Sequence, residues 1–316
     1  RLMIELVEGQ VEKIISHRSA VTKVELKVGE KRKLALNYNQ LSGRIEVGDK
    51  VIVNTTATSL DLGTGGYDFI VYILGKEQSL VGPGHIMKLR YTPYQIQTCS
   101  TAEQESPDHE QFLALNSLEQ TPVIVGTLHS MLAPIISVIK AKRPQTKVAY
   151  IMTDGAALPL AMSNVVYQLQ ELNLLELTIT SGHAFGGQLE AVNIYSALLA
   201  AYLKEADIII VTMGPGIVGT GTKYGFSGTE QADILNAVFN LEGIPIAVPR
   251  INFSDKRKRH YGLSHHSQTN LGELVLVEAL VGIPKFSGAQ KKVITKQLTD
   301  TGINNKHRLI YKAKEA

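Results

Sequence analysis

Polar and apolar side chains alternate through much of the first 95 residues. Segments 7–16, 20–28, 31–37, 50–54 and 67–74 are rich in Val, Ile, Leu and Tyr. Within them, Val21-Thr-Lys-Val-Glu-Leu-Lys-Val28 keeps close to the period of two of a half-buried strand from Thr22 onward. Gly29-Glu30, Gly43, Gly48-Asp49 and Gly63-Thr-Gly-Gly66 interrupt the pattern with turn chemistry. No long helical pattern intervenes. These strands predict a small antiparallel β-barrel, OB-like or SH3-like, over residues 1–95.

Residues 82–94 form a transition. Residues 96–120 are polar and lack strand periodicity until Phe112-Leu-Ala-Leu115. They predict a linker with room for one helix, whose first turn would suit Pro107, Asp108 and Glu110. From Pro122 the rhythm changes. Apolar strand-length runs at 123–126, 147–152, 175–180, 208–213 and 245–248 alternate with helix-length segments at 133–142, 158–172, 190–204, 229–241 and 270–280. That alternation predicts an α/β domain over 121–316, a Rossmann-like, doubly wound, mostly parallel sheet covered on both faces. Ser181 and Thr229 are candidate cap residues, and Gly243 follows the last turn of its helix. The tail from Lys285 is basic, its only acids being Asp300 and Glu315. Leu309-Ile-Tyr311 within it reads as an edge strand.

Composition narrows the class. With 316 residues, 44% hydrophobic and 19% charged, the chain is an ordinary globular one and not collagen-like, low-complexity or mostly disordered. Cys99 has no partner cysteine in the chain, which excludes a disulfide scaffold and favours a reducing, cytoplasmic setting. No apolar run approaches the roughly 20 residues of a membrane helix. The chain starts at Arg1, so a preceding piece such as a removed signal stays open. A net charge of +3 is too mild to imply nucleic acid by itself.

Ligands of open α/β sheets bind outside the carboxyl ends of the strands. The five strand-following segments there are Gly126-Thr-Leu-His-Ser130, Thr153-Asp-Gly-Ala156, Thr180-Ser-Gly-His-Ala-Phe-Gly-Gly187, the glycine-rich 214–225, and Pro249-Arg-Ile-Asn-Phe-Ser-Asp-Lys256. His129, Asp154, His183, Lys223 and Lys256 all fall in them, more chemistry than turns require. Gly214, Gly216 and Gly219 match G-x-G-x-x-G directly after an apolar strand, where glycines let backbone N–H groups approach an anion. The dinucleotide reading fails for want of an adjoining helix and a ribose-binding acid. A phosphate-loop reading fails because Lys223 is one place late and Tyr224 stands where Ser or Thr belongs. What remains is an anion-cradling loop of Gly214, Gly216, Gly219, Thr220, Gly221 and Thr222, with Lys223, Arg250 and Lys256 as countercharges. The bland alternative is a long glycine-rich surface connection.

Asp154 suits orienting a base or binding a ligand hydroxyl, and equally capping a helix. His183 sits between glycines before a helix that Glu190 helps to start, where an imidazole can act as acid or base. His129 is a third catalytic candidate. His129-Ser130 lacks a G-x-S-x-G elbow, which argues against serine nucleophilic catalysis. Arg250, Lys256, Arg257, Lys258, Arg259, His260, His265 and His266 make the densest polar cluster. A basic run is ordinarily a solvated face; here it follows a core strand and favours phosphate or carboxylate. With His183 and His129, the cluster's histidines supply ligand types for zinc, but no H-E-x-x-H or C-x-x-C spacing is present, so no metal is assigned. In Gly82-Pro-Gly-His-Ile-Met-Lys-Leu-Arg90, His85, Lys88 and Arg90 could face a cleft at the domain junction. The period-two spacing of Lys88 and Arg90 instead supports the solvent face of a strand.

Gly84-His-Ile-Met-Lys-Leu-Arg-Tyr-Thr-Pro93, Thr153-Asp-Gly-Ala-Ala-Leu-Pro159, Ser181-Gly-His-Ala-Phe-Gly-Gly187, Gly214-Pro-Gly-Ile-Val-Gly-Thr-Gly-Thr222 and Ser264-His-His-Ser267 occur together. In this combination the chain resembles, over nearly its whole length, an uncharacterised bacterial family catalogued as domain of unknown function 3866. The resemblance implies no set of catalytic residues.

The first functional expectation is an enzyme acting on a small anionic, phosphorylated or nucleotide-like metabolite at the carboxyl edge of the sheet. A non-catalytic ligand sensor is the second. A nucleic-acid-associated protein using the barrel and basic segments is the third, and it lacks interleaved stacking aromatics. No membrane partner is expected, a homo-oligomer is compatible, and the sequence names no cofactor.

Overall fold

The structure is a computed structural model that describes residues 3–312. It divides into two compact units. The first ends at Pro83 and takes in Leu89–Gln97; the second comprises Gly84–Lys88 and the described chain from Thr98 onward.

The first unit is a closed barrel of β1 (Leu6–His17), β2 (Val21–Val28), β3 (Lys31–Tyr38), β4 (Lys50–Asn54) and β5 (Tyr67–Ile73), in the order β1-β2-β3-β5-β4. Short helices α1 (Asn39–Ser42) and α2 (Thr56–Ser59) join the strands. β1 closes on β4 antiparallel and β3 lies parallel to β5. Of the two barrel types expected, this order and the parallel closure are those of an OB barrel. Alternation does the folding: Val24, Leu26, Ala35, Val51, Val53 and Ile73 point inward and are fully or almost fully buried. Outward cations are partly neutralised, Arg32 by Glu12 and Lys33 by Asp68.

In the second unit, β6 (Ile86–Lys88), β7 (Ile96–Thr98), which the unit boundary crosses, and α3 (His109–Leu113) precede the main sheet. Residues 98–120, expected as a linker, belong to this unit. Ser100, Thr101 and Asp108 are buried, and Leu118 is fully enclosed in the core. The sheet and its helices follow in chain order: β8 (Pro122–Gly126), α4 (Leu132–Lys142), β9 (Val148–Thr153), α5 (Asn164–Glu171), β10 (Leu177–Ser181), β11 (Leu189–Ala191), α6 (Ile194–Leu203), β12 (Ile208–Met213), α7 (Glu230–Asn240) and β13 (Ile244–Val248). A small hairpin, β14 (Ile251–Asn252) and β15 (Gly262–Leu263), leads into α8 (His265–Thr269), which runs on as a π-turn over Asn270–Leu274. β16 (Leu280–Pro284), α9 (Gly288–Asp300), α10 (Ile303–Lys306) and β17 (Arg308–Lys312) complete the unit.

Eight strands form one sheet, ordered β11-β10-β9-β12-β8-β13-β16-β17. Every pairing in it is parallel. Both faces are covered, which is why its strands are apolar runs. Val148, Tyr150 and Met152 pack with Leu132 and Ile136 of α4 and Val166 and Leu169 of α5. Ala149 and Ile151 face the other way, in the core that holds α6, α7 and α9. This is a Rossmann-like α/β domain after a small barrel.

Three boundaries differ from the sequence reading. The segment 158–172 is not one helix, because Ser163 caps α5 by accepting the Val166 N–H at 3.0 Å. Glu190 starts no helix; it lies in edge strand β11, and Asn193 caps α6 through a capping box with Ser196. The helix expected over 270–280 is displaced toward the N-terminus: it begins at His265, its π-turn ends at Leu274, and Leu280 opens β16. Residues 313–316 of the basic tail lie outside the described residues. Among the described residues, no helix is long and apolar enough to cross a membrane.

Candidate functional site

The connections decide where a crevice opens. α4 after β8 and α5 after β9 lie on one face, and α7 after β12 lies on the other. β12 sits between β9 and β8 in the sheet. The chain therefore leaves to opposite faces on both sides of β12, and the topological switch lies at its carboxyl end. A depression at the opposite, amino-terminal edge, lined by Pro122, Arg143, Gln145 and Asp207 among others, has no comparable convergence of acid–base groups.

At the switch, Asp154 directly follows β9 and is exposed. Its Oδ2 accepts the His183 backbone N–H at 2.9 Å. That contact needs Gly182 in a left-handed conformation, φ 66°, where a side chain would also overlap the Asp154 carboxylate. Gly182→Ala is therefore expected to lower stability by about 1–3 kcal/mol. Calorimetric unfolding checks this, and an unchanged transition would show that the turn relaxes freely.

Next to Asp154 lies a residue that the sequence reading missed. Glu230 opens α7, and its Oε1 accepts from Thr153 Oγ1 at 2.6 Å. A Cβ on Gly155 would overlap this carboxylate. Burial, aided by repulsion from Asp154 and Asp233, raises the Glu230 carboxyl from 4.5 to about 7, against the opposing Thr153 hydrogen bond. Glu230 stands 77 positions from Thr153 in sequence, so no local motif marks it. Thr127 follows β8 on the other side of β12, and its hydroxyl is 1% exposed as a residue and has no hydrogen-bond partner. Such an orphaned buried hydroxyl is unusual in a folded protein.

His129 is turned inward. Its Nε2 lies 2.6 Å from Ser163 Oγ, and its Nδ1 lies 3.1 Å from Tyr150 Oη and 3.3 Å from the Met213 carbonyl. Burial lowers its pKa. With the proton on Nδ1 donated to Met213, Nε2 accepts from Ser163, whose oxygen also caps α5. The ring thus ties β8, β9, β12 and α5 together. His183 is half-buried and is brought to Asp154 through its backbone amide.

The glycine-rich loop after β12 folds back on itself. Thr220 N donates to Gly225 O at 2.7 Å, Gly225 N to Thr222 Oγ1 at 3.2 Å and Val218 N to Ser227 Oγ at 3.3 Å. These bonds use several of the donors that an anion would need. Gly214 has a packing reason of its own, because a Cβ there would meet the Ala157 carbonyl at 2.5 Å. Gly216 and Gly221 take positive φ, and Gly219 bridges to Phe226. Lys223 pairs with Glu273 at 2.6 Å in an exposed setting. Arg250 and Arg257 both hold Asp255, at 3.2 and 2.9 Å, and the Arg257 hydrogen bonds keep its carboxyl well below the usual carboxylate range. Lys256 is exposed.

His260, His265 and His266 converge, each offering one ligand atom within 4.8 Å of the others. Burial, reinforced by neighbouring cations, lowers all three pKa values, to about 4 for His260 and His266. His129 and His183 are not part of this group. Cys99 is half-buried, and burial with a Glu103 hydrogen bond raises its thiol to about 11, which keeps it protonated and unreactive.

Lys88 corrects a sequence expectation. It is 1% exposed rather than on a solvent face. Its ammonium donates to Glu190 Oε2 at 2.7 Å, to the Ala184 carbonyl at 2.6 Å and to the Thr180 carbonyl at 3.1 Å. His85 lies 3.1 Å from Glu103 and 3.4 Å from Glu105.

A family model described as "Protein of unknown function (DUF3866)" matches residues 34–316. No curated protein matches the chain.

Proposed function

We propose, from the premise that the chain belongs to the DUF3866 family, that it is an enzyme acting on a small anionic metabolite at the carboxyl edge of its parallel sheet. The carrying observation is Glu230, half-buried beside Asp154 at the topological switch, its carboxylate accepting from Thr153 Oγ1 at 2.6 Å and pushed up by burial to about 7. A carboxyl poised near neutrality can give and take a proton at working pH, which is what a general acid or base needs. Asp154, oriented by the His183 amide, is the second carboxylate of the pair.

Charge supports the anionic class. Arg250, Lys256, Arg257 and Arg259 follow β13, and Asp255 is the acid ion-paired to Arg250 and Arg257. A phosphorylated or nucleotide-like substrate offers oxygens for these cations. The loop residues Gly214, Gly216, Gly219, Thr220, Gly221 and Thr222 border the same edge, while Lys223 contributes only if it exchanges Glu273 for the ligand.

Calorimetric titration of the full chain with inorganic phosphate, pyrophosphate and a nucleoside monophosphate tests the reading. At least one probe is expected to bind, and the Lys256→Ala, Arg259→Ala double variant to bind it about tenfold more weakly or worse, from lost charged hydrogen bonds. Both side chains are exposed, so the fold tolerates the change. No binding of any probe, or binding indifferent to the double variant, would overturn the anionic assignment.

A further inference from the structure

We propose that His260, His265 and His266 form a three-imidazole site for a divalent transition-metal ion of the zinc class, with its fourth position open to an anionic oxygen ligand. The assignment stands on ring geometry and does not depend on the substrate reading above.

The backbone builds the convergence. His260 ends a short helical turn, Lys258–His260, inside the β14–β15 hairpin. His265 and His266 open α8 directly after Ser264, its N-cap residue. The ring centroids lie 5.0 Å apart for His260 and His265, 5.1 Å for His260 and His266, and 4.3 Å for His265 and His266. Phe226 stacks flat on His266 at 3.9 Å and meets His265 edge-on at 5.7 Å, which fixes two of the three rings.

Hydrogen bonding points the same way. His260 Nδ1 lies 2.7 Å from Ser264 Oγ, and Arg259 Nε donates to His260 Nε2 at 3.4 Å. The proton therefore sits on Nδ1 and the lone pair on Nε2. An oxygen hydrogen-bonded to the far ring nitrogen is the usual means of aiming a ligand imidazole. The Arg259 contact is long and comes from an exposed side chain that can swing away. His266 Nδ1 is buried with no hydrogen-bond partner. His266 Nδ1 thus has no donor and His260 Nε2 only a long one, and a metal ion within reach of one nitrogen from each of the three rings would satisfy them.

Size and charge choose the ion. Zinc–nitrogen bonds of about 2.1 Å put tetrahedral ligand atoms roughly 3.4 Å apart. The ligand atoms already lie within 4.8 Å of one another, so a small inward shift of the rings brings them to that spacing. Imidazole without carboxylate suits zinc, copper, nickel or iron and disfavours magnesium or calcium. The nearby Arg250, Arg257 and Arg259 are only partly offset by Asp255. A bound cation there favours an anion, hydroxide or an oxyanion, as its remaining ligand.

The test uses the full chain without a polyhistidine tag, stripped by chelator and titrated with Zn2+ by calorimetry and with Co2+ by visible absorption. One ion per chain is expected, with nitrogen-ligated Co2+ bands. His265→Gln is expected to weaken binding more than about 100-fold, because losing a hydrogen bond that merely supports a ligand already costs about 10–100-fold. His266→Gln is the second variant. Unchanged circular dichroism separates ligand loss from misfolding, and both variants replace half-buried side chains. Absence of stoichiometric Zn2+ and Co2+ binding would overturn the proposal. So would binding that survives both variants in folded protein. Phosphate binding that persists in the metal-free chain would leave the anionic reading intact while the metal site falls.

Discussion

Lys88→Ala is expected to lower the unfolding temperature of the second unit by on the order of 10 °C. Removing one partner of a buried ion pair typically costs about 3–5 kcal/mol, because the remaining charge is left uncompensated. In a unit of this size, each kcal/mol moves the midpoint by roughly 2–4 °C. Glu190 keeps two donors in the variant, Thr180 Oγ1 at 2.7 Å and Gly186 N at 2.7 Å, but loses its ion-pair partner. The Thr180 and Ala184 carbonyls lose theirs as well. Differential scanning calorimetry of the full chain reads the shift. A Lys88→Met, Glu190→Gln double variant is expected to recover part of the loss, since an apolar stem and a neutral amide carry no buried charge. A single variant that melts with the wild type would show that the pair contributes nothing net.

Glu230→Gln is expected to raise stability above pH 7 and to abolish turnover. A carboxyl displaced from 4.5 to about 7 makes its ionised form cost up to about 3 kcal/mol in the folded state. The folded chain binds more protons than the unfolded one between pH 4.5 and about 7, so the wild type loses stability as pH rises through that window. Glutamine cannot ionise. It can still accept from Thr153 Oγ1, so the fold is kept. The two stability curves should meet near pH 4.5 and separate by at most about 3 kcal/mol above pH 7. Parallel curves from pH 5 to 8 would mean that Glu230 titrates normally. For any substrate found through the anion titrations, activity should be lost while binding persists, because the variant removes a proton-transfer group and no countercharge. A fully active variant would remove Glu230 from the chemistry.

The elements were legible because their causes are local. Alternation over 21–28 makes a strand whatever surrounds it, and 208–213 is apolar on both sides because both sides are covered. The expected edge strand around Leu309 is β17, paired parallel to β16. Asp154 and the histidines could be picked out because strand ends are readable. The errors share one cause. Lys88 looked like a solvent-face residue because the sequence shows Ile-Met-Lys-Leu-Arg but not Glu190, 102 positions away. Glu190 looked like a helix starter for the same reason. The partners of His129, at positions 150, 163 and 213, likewise came from other strands and a helix cap.

The sequence by itself determined a β-barrel followed by a parallel α/β sheet, and which edge of that sheet collects polar chemistry. Periodicity and turn residues act within a few positions, so one chain segment is enough to read them. Only the tertiary structure decided which of those groups are buried, paired or exposed. It turned His129 and Lys88 into internal ties, set Glu230 beside Asp154, and closed three histidines on one another. Burial, charge proximity and hydrogen-bond completion set those roles, and each depends on residues that the fold brings together from distant parts of the chain.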